Sequence, residues 1–375
     1  MVVVRFSASK VALVTGLHDF GDVTEEILDC VYQDREEMLV RDAARLQLRL
    51  VSKDEEIESL VQKSGAAIAP QLRKALLWTR DQATPTNVKE AQNLLEDVDK
   101  QLAEALVSNH LVNQEAQKAR KLLAERIHQS AGTRNESLAL EAYERQTGSK
   151  VRLTNEHCYV LTFPPPVEMS NVNDTGQASV DYSLLAEKSQ RTTIFKSQQF
   201  EWPSRFAPVD LTMNQGKEEN LFHGYFSICG MVDGISDALN FAENDEWELV
   251  PVVVEVKNRL RCLQNPPPLH DYIQLAVYMK MLEFEHGDLV QCIYDTDSHP
   301  TIQISRASLG SAPLCLPVSS TGRKSDIWTE VIVPRLYAVT QLVEMLRCEE
   351  LLRLAFLNGN EVERFTMIRA ECDFL

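Results

Sequence analysis

The sequence predicts an α/β protein in which helices flank a central mixed sheet and a helical arm is inserted near the N-terminal end. Three observations predict it. Residues 36 to 130 carry helical periodicity almost throughout. The strand-like runs VRLTNEHCYVLTF, RTTIFKSQQFEW, FHGYFSICGMVDGISDAL and WELVPVVVEVKNR then follow one another. Finally, an apolar helix over 271–285 separates the last of these runs from two short strands near 288–305.

Taken in order, SASKVALVTGLHDFGDVTEEILDCVYQD, from Ser7 to Asp34, predicts a capped short helix, a turn at Asp19 to Asp22 and a second helix. The helical region after it is broken near Gly65 and at Thr84-Pro85, where the proline suits the first turn of a new helix. In that last helix Ala91, Leu95, Val98, Leu102, Ala105, Asn109, Val112, Ala116, Ala119 and Leu123 recur at spacings of four and three. This is a heptad-like seam. Its many alanines suit a hairpin packing on its own chain, and they also suit an association with a second chain through 85–130. A further helix over 135–147 is stopped by Gly148. The polar stretch 166–181 predicts a loop, NPPPLH at 265–270 ends the strands, and a long helix is predicted over 325–356. The expected divisions are 1–35, an N-terminal helical part; 36–131, the helical insertion; 132–310, the core; and 311–375, a C-terminal helical extension.

Composition narrows the function classes. Among 375 residues no apolar run approaches the roughly 20 a membrane helix requires. The start, MVVVRFSASKVALV, has charges inside its apolar stretch and no small-residue cleavage site, so an intracellular chain without a membrane association is expected, nucleus and cytoplasm being equally compatible. The eight cysteines show no CxxC spacing or close Cys/His pairing, which disfavours structural zinc, an iron-sulfur cluster and a disulfide framework. A net charge of -17 argues against a generic nucleic-acid coat. Local basic groups remain: Lys188, Arg191, Lys196 and Arg205; Lys257, Arg259 and Arg261; Arg323 and Lys324.

Four places put polar groups where apolar patterning excludes them. In VVVEVKNRL, 252–260, strand alternation sets Val252, Val254 and Val256 on one face and Val253, Glu255 and Lys257 on the other. Glu255 and Lys257 therefore stand about 7 Å apart along the strand, close enough to act on one ligand or to form a plain ion pair. Glu136 shares a helix face with Ala139, Leu140 and Tyr143, as a dipole-stabilised acid or as a metal ligand. Asp233 closes a strand before Gly234, and a hairpin return through NFAENDE can bring it beside Glu255. Two carboxylates that close share a cation or a proton, and oxygen ligands suit Mg2+ or Mn2+. Gln274 shares a face with Val277, Tyr278 and Met281, as a buried amide or as a phosphate ligand.

In this order the residues resemble the motif of the PD-(D/E)XK nuclease superfamily: a helix glutamate, an acid, then acid-x-lysine on a neighbouring strand, and a helix glutamine. Within it the chain looks most like the phage lambda-exonuclease and YqaJ-like viral recombinase group, through SASK at 7–10, ESLALEAYERQTG at 136–148, VDG at 232–234, VEVKNR at 254–259 and QLAVYM at 274–279. The resemblance implies a restriction-endonuclease-like core spanning 132–285 and a metal-dependent deoxyribonuclease, an exonuclease of the recombination or repair type on duplex DNA ends. It implies that Asp233, Glu255, the Val256 carbonyl and Glu136 hold Mg2+ or Mn2+. Lys257 would handle the nucleophilic water, and Gln274 and Tyr278 would steady the phosphate or the lysine. Ser9 matches a serine that contacts the DNA end phosphate, with Arg5 as the nearest candidate for its basic companion, and Arg259 is a further phosphate-binding candidate. Asp237 is the reserve first carboxylate. The competing expectations are a catalytically inactive nuclease fold that binds partners through the arm, and a structure-specific endonuclease.

Overall fold

A computed structural model of the chain describes residues 3–80, 84–166, 180–195, 224–241, 247–295, 299–316 and 325–375. Lys196, Arg205, Arg323, Lys324, most of the predicted loop 166–181 and the hairpin turn within NFAENDE lie outside them. The described residues form an α/β structure with mixed sheets. No helix among them is long and apolar enough to cross a membrane.

The chain opens with a strand, β1 (Val4–Ser7), followed by one 3-10 turn at Ala8–Lys10 and α1 (Val11–Val14). The periodicity from Ser7 hides this strand, because four residues are too few to display alternation. Asp22 caps α2 (Val23–Tyr32) by accepting the Thr24 and Glu25 amides, as the turn at Asp19 to Asp22 predicts. Next comes α3 (Glu36–Arg45), which belongs to the main body and not to the predicted insertion. Its Leu39 joins the main hydrophobic cluster. Its fully buried Asp42 accepts hydrogen bonds from Tyr32 at 3.1 Å and from Arg353 Nε at 2.6 Å. Arg353→Ala would leave that buried carboxylate without its nearest cation, with the Tyr32 hydroxyl at 3.1 Å and Arg41 at 3.9 Å remaining. The expected cost is about 3–5 kcal/mol in a urea titration, and a loss below about 1 kcal/mol would contradict it.

The arm consists of α4 (Lys53–Lys63), α5 (Ala69–Arg80), α6 (Val88–Val107) and α7 (Asn113–Thr147). Its separate core runs from Ile57 to Ala131 and touches the main body at Leu260. Ala91, Val98, Leu102, Ala105, Ala116, Ala119 and Leu123 of the predicted seam are buried inside it. The seam therefore packs on its own chain. It is interrupted where Asn109 takes φ +54° and Val112 is exposed, so the one predicted helix is two antiparallel ones. Pro85 precedes the Asn87 cap of α6 and does not occupy its first turn.

The expected boundary at 131/132 does not exist: α7 runs unbroken from the arm into the core. Asn135 reads as a helix start because its side chain favours caps. In the structure that side chain instead accepts the Thr86 amide at 3.0 Å and donates to the Thr86 carbonyl at 2.6 Å, pinning α7 to the start of α6. Gly132 inside a helix costs only about 1 kcal/mol.

Beyond α7 come β2 (His157–Phe163), α8 (Tyr182–Glu187), β3 (Gln190–Phe195), β4 (Phe226–Met231), β5 (Gly234–Phe241) and β6 (Trp247–Asn258). Then α9 (Leu269–Leu282) leads to β7 (His286–Ile293) and β8 (Thr301–Ser308). Instead of one central sheet there are two four-stranded ones, ordered β1-β4-β2-β3 and β5-β6-β7-β8. Only β1 with β4 and β6 with β7 are parallel, the second pair being joined through α9. The chain steps from one sheet to the other at Val232–Asp233. A two-residue pair, β9 (Cys315–Leu316) with β10 (Ser325–Asp326), precedes a π-helical turn at Trp328–Ile332.

The long helix predicted over 325–356 is divided at Glu349 into α10 (Val333–Cys348) and α11 (Glu350–Asn358), and α12 (Glu361–Glu371) follows. The predicted C-terminal extension is in fact core. Leu336, Val339, Leu342, Val343 and Leu346 of α10 pack with β2, β4 and α2 in the main cluster.

Candidate functional site

Strand alternation in β6 has the consequence the sequence predicts. Val254 and Val256 pack beneath Ala139, Leu140 and Tyr143 of α7, while Val253 joins the cluster formed by Tyr272, Ile273 and Val277 of α9. Glu255 and Lys257 share the α9 side with Val253. Gln274 of α9 meets them there in a closed triangle. Lys257 Nζ donates to Glu255 Oε1 at 2.8 Å and to Gln274 Oε1 at 2.7 Å, and Gln274 Nε2 donates to Glu255 Oε1 at 2.7 Å. The other oxygen, Glu255 Oε2, is buried with no hydrogen-bond partner. A buried carboxylate oxygen without a donor is costly.

Asp233 reaches the same place through a break in the β5–β6 ladder. The ladder ends at the Gly234–Val254 pair, so Val232 and Val256 would pair next. Instead the Val232 carbonyl accepts the Asn155 amide at 3.2 Å, and the Val256 amide is donated to Asp233 Oδ2 at 2.7 Å. The carboxylate thus replaces a strand carbonyl and is drawn toward Glu255. Burial pushes the Asp233 carboxyl well above its ordinary value, and the charges of Glu255 and Glu136 push the same way. Burial raises Glu255 too, against the opposing pull of Lys257. For Lys257, burial alone would lower the ammonium, but Glu255 and Asp271 outweigh it and hold the group above its usual value. Lys257 is therefore a charged donor at neutral pH.

These groups line a cavity of about 460 Å³ together with Ser9 and Glu136. Glu136 comes from α7, and its Oε1 accepts a hydrogen bond from the Asn155 side chain. Gln129 and Thr133 of α7, with Asn258 at the end of β6, complete the wall on the arm side. Among the described residues no group of three or more His, Cys, Asp or Glu is gathered closely enough to hold a metal ion. Asp233, Glu255 and Glu136 all border the cavity.

Several predicted site residues are elsewhere. Arg5 pairs with Asp34, and its backbone is bracketed by the Gln33 amide at 2.8 and 3.1 Å, so it does not join Ser9 at the cavity. Ser9 does line the cavity, and its hydroxyl lies 3.0 Å from Ser7 Oγ. Arg259 pairs with Asp271 and donates to Gln291 at 3.1 Å, which commits its guanidinium to the protein. Tyr278 is buried behind Gln274, 3.5 Å from its amide, and is not part of the cavity wall. Asp237 is paired with Arg152 opposite Pro251, three registers along the hairpin from the site, which removes it as the first carboxylate. Arginines choose the nearest buried or half-buried acid, and that choice depends on distant segments that no local pattern reports.

Asn155 and Asn258 were not singled out in the sequence. Asn258 donates to the Gly132 carbonyl at 2.8 Å, tying the end of β6 to α7. Its signal was its place directly after Lys257. Asn155 sits at φ +49° in a turn, where asparagine is enriched. Comparison of the chain with protein-family models, curated proteins and solved structures finds no match.

Proposed function

We propose that this chain is a metal-dependent deoxyribonuclease of the PD-(D/E)XK type, with a restriction-endonuclease-like core, acting on the ends of duplex DNA. The observation that carries this reading is the Glu255–Lys257–Gln274 triangle beside Asp233, with one buried Glu255 oxygen left without a donor. The succession of α7, β2, β4 with β5, β6, α9 and β7 supports it, because it presents the polar groups in helix-strand-strand-helix order.

The residues present fit a hard divalent cation. Both candidate side-chain ligands are oxygen donors, burial disfavours two uncompensated negative charges, and Glu255 Oε2 has no hydrogen-bond donor. Asp233 and Glu255 would hold Mg2+ or Mn2+, with the Val256 carbonyl as a third donor and Glu136 acting through water. When bound, such an ion supplies Lewis acidity toward a phosphate oxygen and makes water a stronger nucleophile.

The chain's own groups do the rest. Lys257, kept charged, donates hydrogen bonds to the phosphate or to the attacking water and stabilises negative charge as the phosphodiester is hydrolysed. Gln274 fixes the direction of the lysine by accepting from it at 2.7 Å. Ser9, on the cavity wall, offers a hydroxyl to a strand's phosphate.

The test uses end-labelled linear duplex and covalently closed circular DNA, with Mg2+, with Mn2+ and with chelator. Metal-dependent loss of the linear substrate with the circle intact is expected. Cutting of the circle would instead favour an endonuclease, and no cleavage with either ion would remove the nuclease reading.

A further inference from the structure

We infer that Asn155 is a positioning residue that fixes Glu136 and Asp233 relative to each other around the cation site, an inference that rests on the metal-dependent reading above. Asn155 lies in the turn between α7 and β2 and makes two donations to two different elements. Its side-chain amide donates to Glu136 Oε1 on α7. Its backbone N–H donates to the carbonyl of Val232, the residue before Asp233.

The second bond lies where the β5–β6 ladder ends. The Val232 carbonyl, which the β5–β6 register would set opposite the Val256 amide, accepts from Asn155 instead. The Val256 amide is donated to the Asp233 carboxylate at 2.7 Å. One residue therefore holds Glu136 by its side chain and the carbonyl beside Asp233 by its backbone. The conformation this needs is left-handed, φ +49°. Asparagine enters that region more readily than most residues, and its amide is long enough to reach Glu136 from there.

Glu136 cannot be positioned by α7 alone. It is half-buried at a helix surface, and among the described residues it is not close enough to Asp233 and Glu255 to complete a three-acid cluster. Its charge nevertheless acts on both carboxyls. The Asn155 amide thus restrains an acid that acts on the site from a distance, as outer hydrogen-bond partners do at metal centres.

Asn155→Gly separates this role from turn formation. Glycine keeps the left-handed backbone and the N–H to Val232 but has no amide for Glu136. The readout is calorimetric titration of the full chain with Mg2+ or Mn2+ in the absence of DNA. Binding weakened by about 10- to 100-fold relative to the natural chain, with an unchanged far-ultraviolet circular dichroism spectrum, is expected. In a Glu136→Ala background the same change should add nothing, because its partner is already gone. Unchanged affinity in Asn155→Gly, or full additivity in the double variant, would overturn the inference. Asn155→Ser, whose hydroxyl is too short to reach Glu136, is read in the same way if the glycine variant does not fold. A natural chain that binds neither ion would instead sink the reading of the site itself, and this inference with it.

Discussion

Lys257→Ala is expected to lower Mg2+-dependent degradation of linear duplex DNA by about 100- to 1,000-fold, the usual cost of removing one preorganised donor to developing charge. Lys257 is the cation at the centre of the triangle, and Glu255 and Gln274 both lose their direct partner with it. Glu255 is 2% exposed, so its carboxylate would then be buried without its nearest counter-charge. Some loss of stability accompanies the change. Activity is therefore compared per folded molecule, with the folded fraction taken from circular dichroism at the assay temperature. Equal rates in the two proteins would exclude Lys257 from the chemistry. A variant that binds Mg2+ normally but cleaves slowly would place the loss in the reaction step.

Asp233→Asn should have opposite effects on activity and on stability without metal. Asp233 and Glu255 are held together in a buried place where burial and mutual repulsion already push the Asp233 carboxyl upward. Asparagine keeps an oxygen to accept the Val256 amide and removes the charge. In chelator the variant is expected to melt higher than the natural chain, by about 2–4 °C for each kcal/mol of repulsion relieved. Adding Mg2+ should raise the Tm of the natural chain by mass action and leave that of the variant almost unmoved. Cleavage should fall to background. A variant that melts lower than the natural chain in chelator would contradict the picture of two carboxylates held together at a cost. Function is maintained against stability at such sites.

How far the site could be read from the sequence follows from the range of each interaction. That Glu255 and Lys257 share a face is a property of any strand, and β6 realises it without help from the rest of the fold. Gln274 interrupts an apolar helical stripe, which again is local. Asp233 was placed near Glu255 by hairpin logic, but the way it gets there was not visible. Where the ladder stops, the Val232 carbonyl accepts from a turn 77 positions upstream. The places of Arg5 and Arg259 have the same cause. Asp34 and Asp271 capture them, and which acid lies nearest a flexible cationic side chain is settled by segments brought in from elsewhere.

The fold divides along the same line. Helical periodicity over 36–130, the strand runs and the crossover helix are consequences of local patterning, and they appear at nearly the predicted places. The partition of the helices into bodies is not local. Asp42 and Arg353 assign α3 to the core, and Asn135 with Thr86 joins α7 to the arm, through contacts spanning 311 and 49 positions. By itself the sequence determined the elements and the faces on which Glu136, Glu255, Lys257 and Gln274 lie. Only the tertiary structure decided that the sheet is split at Val232–Asp233 and that Asn155 stands between the acids. Side-chain direction has a period of two or 3.6 residues, whereas a buried polar group takes whichever partner the packed chain brings within about 3 Å.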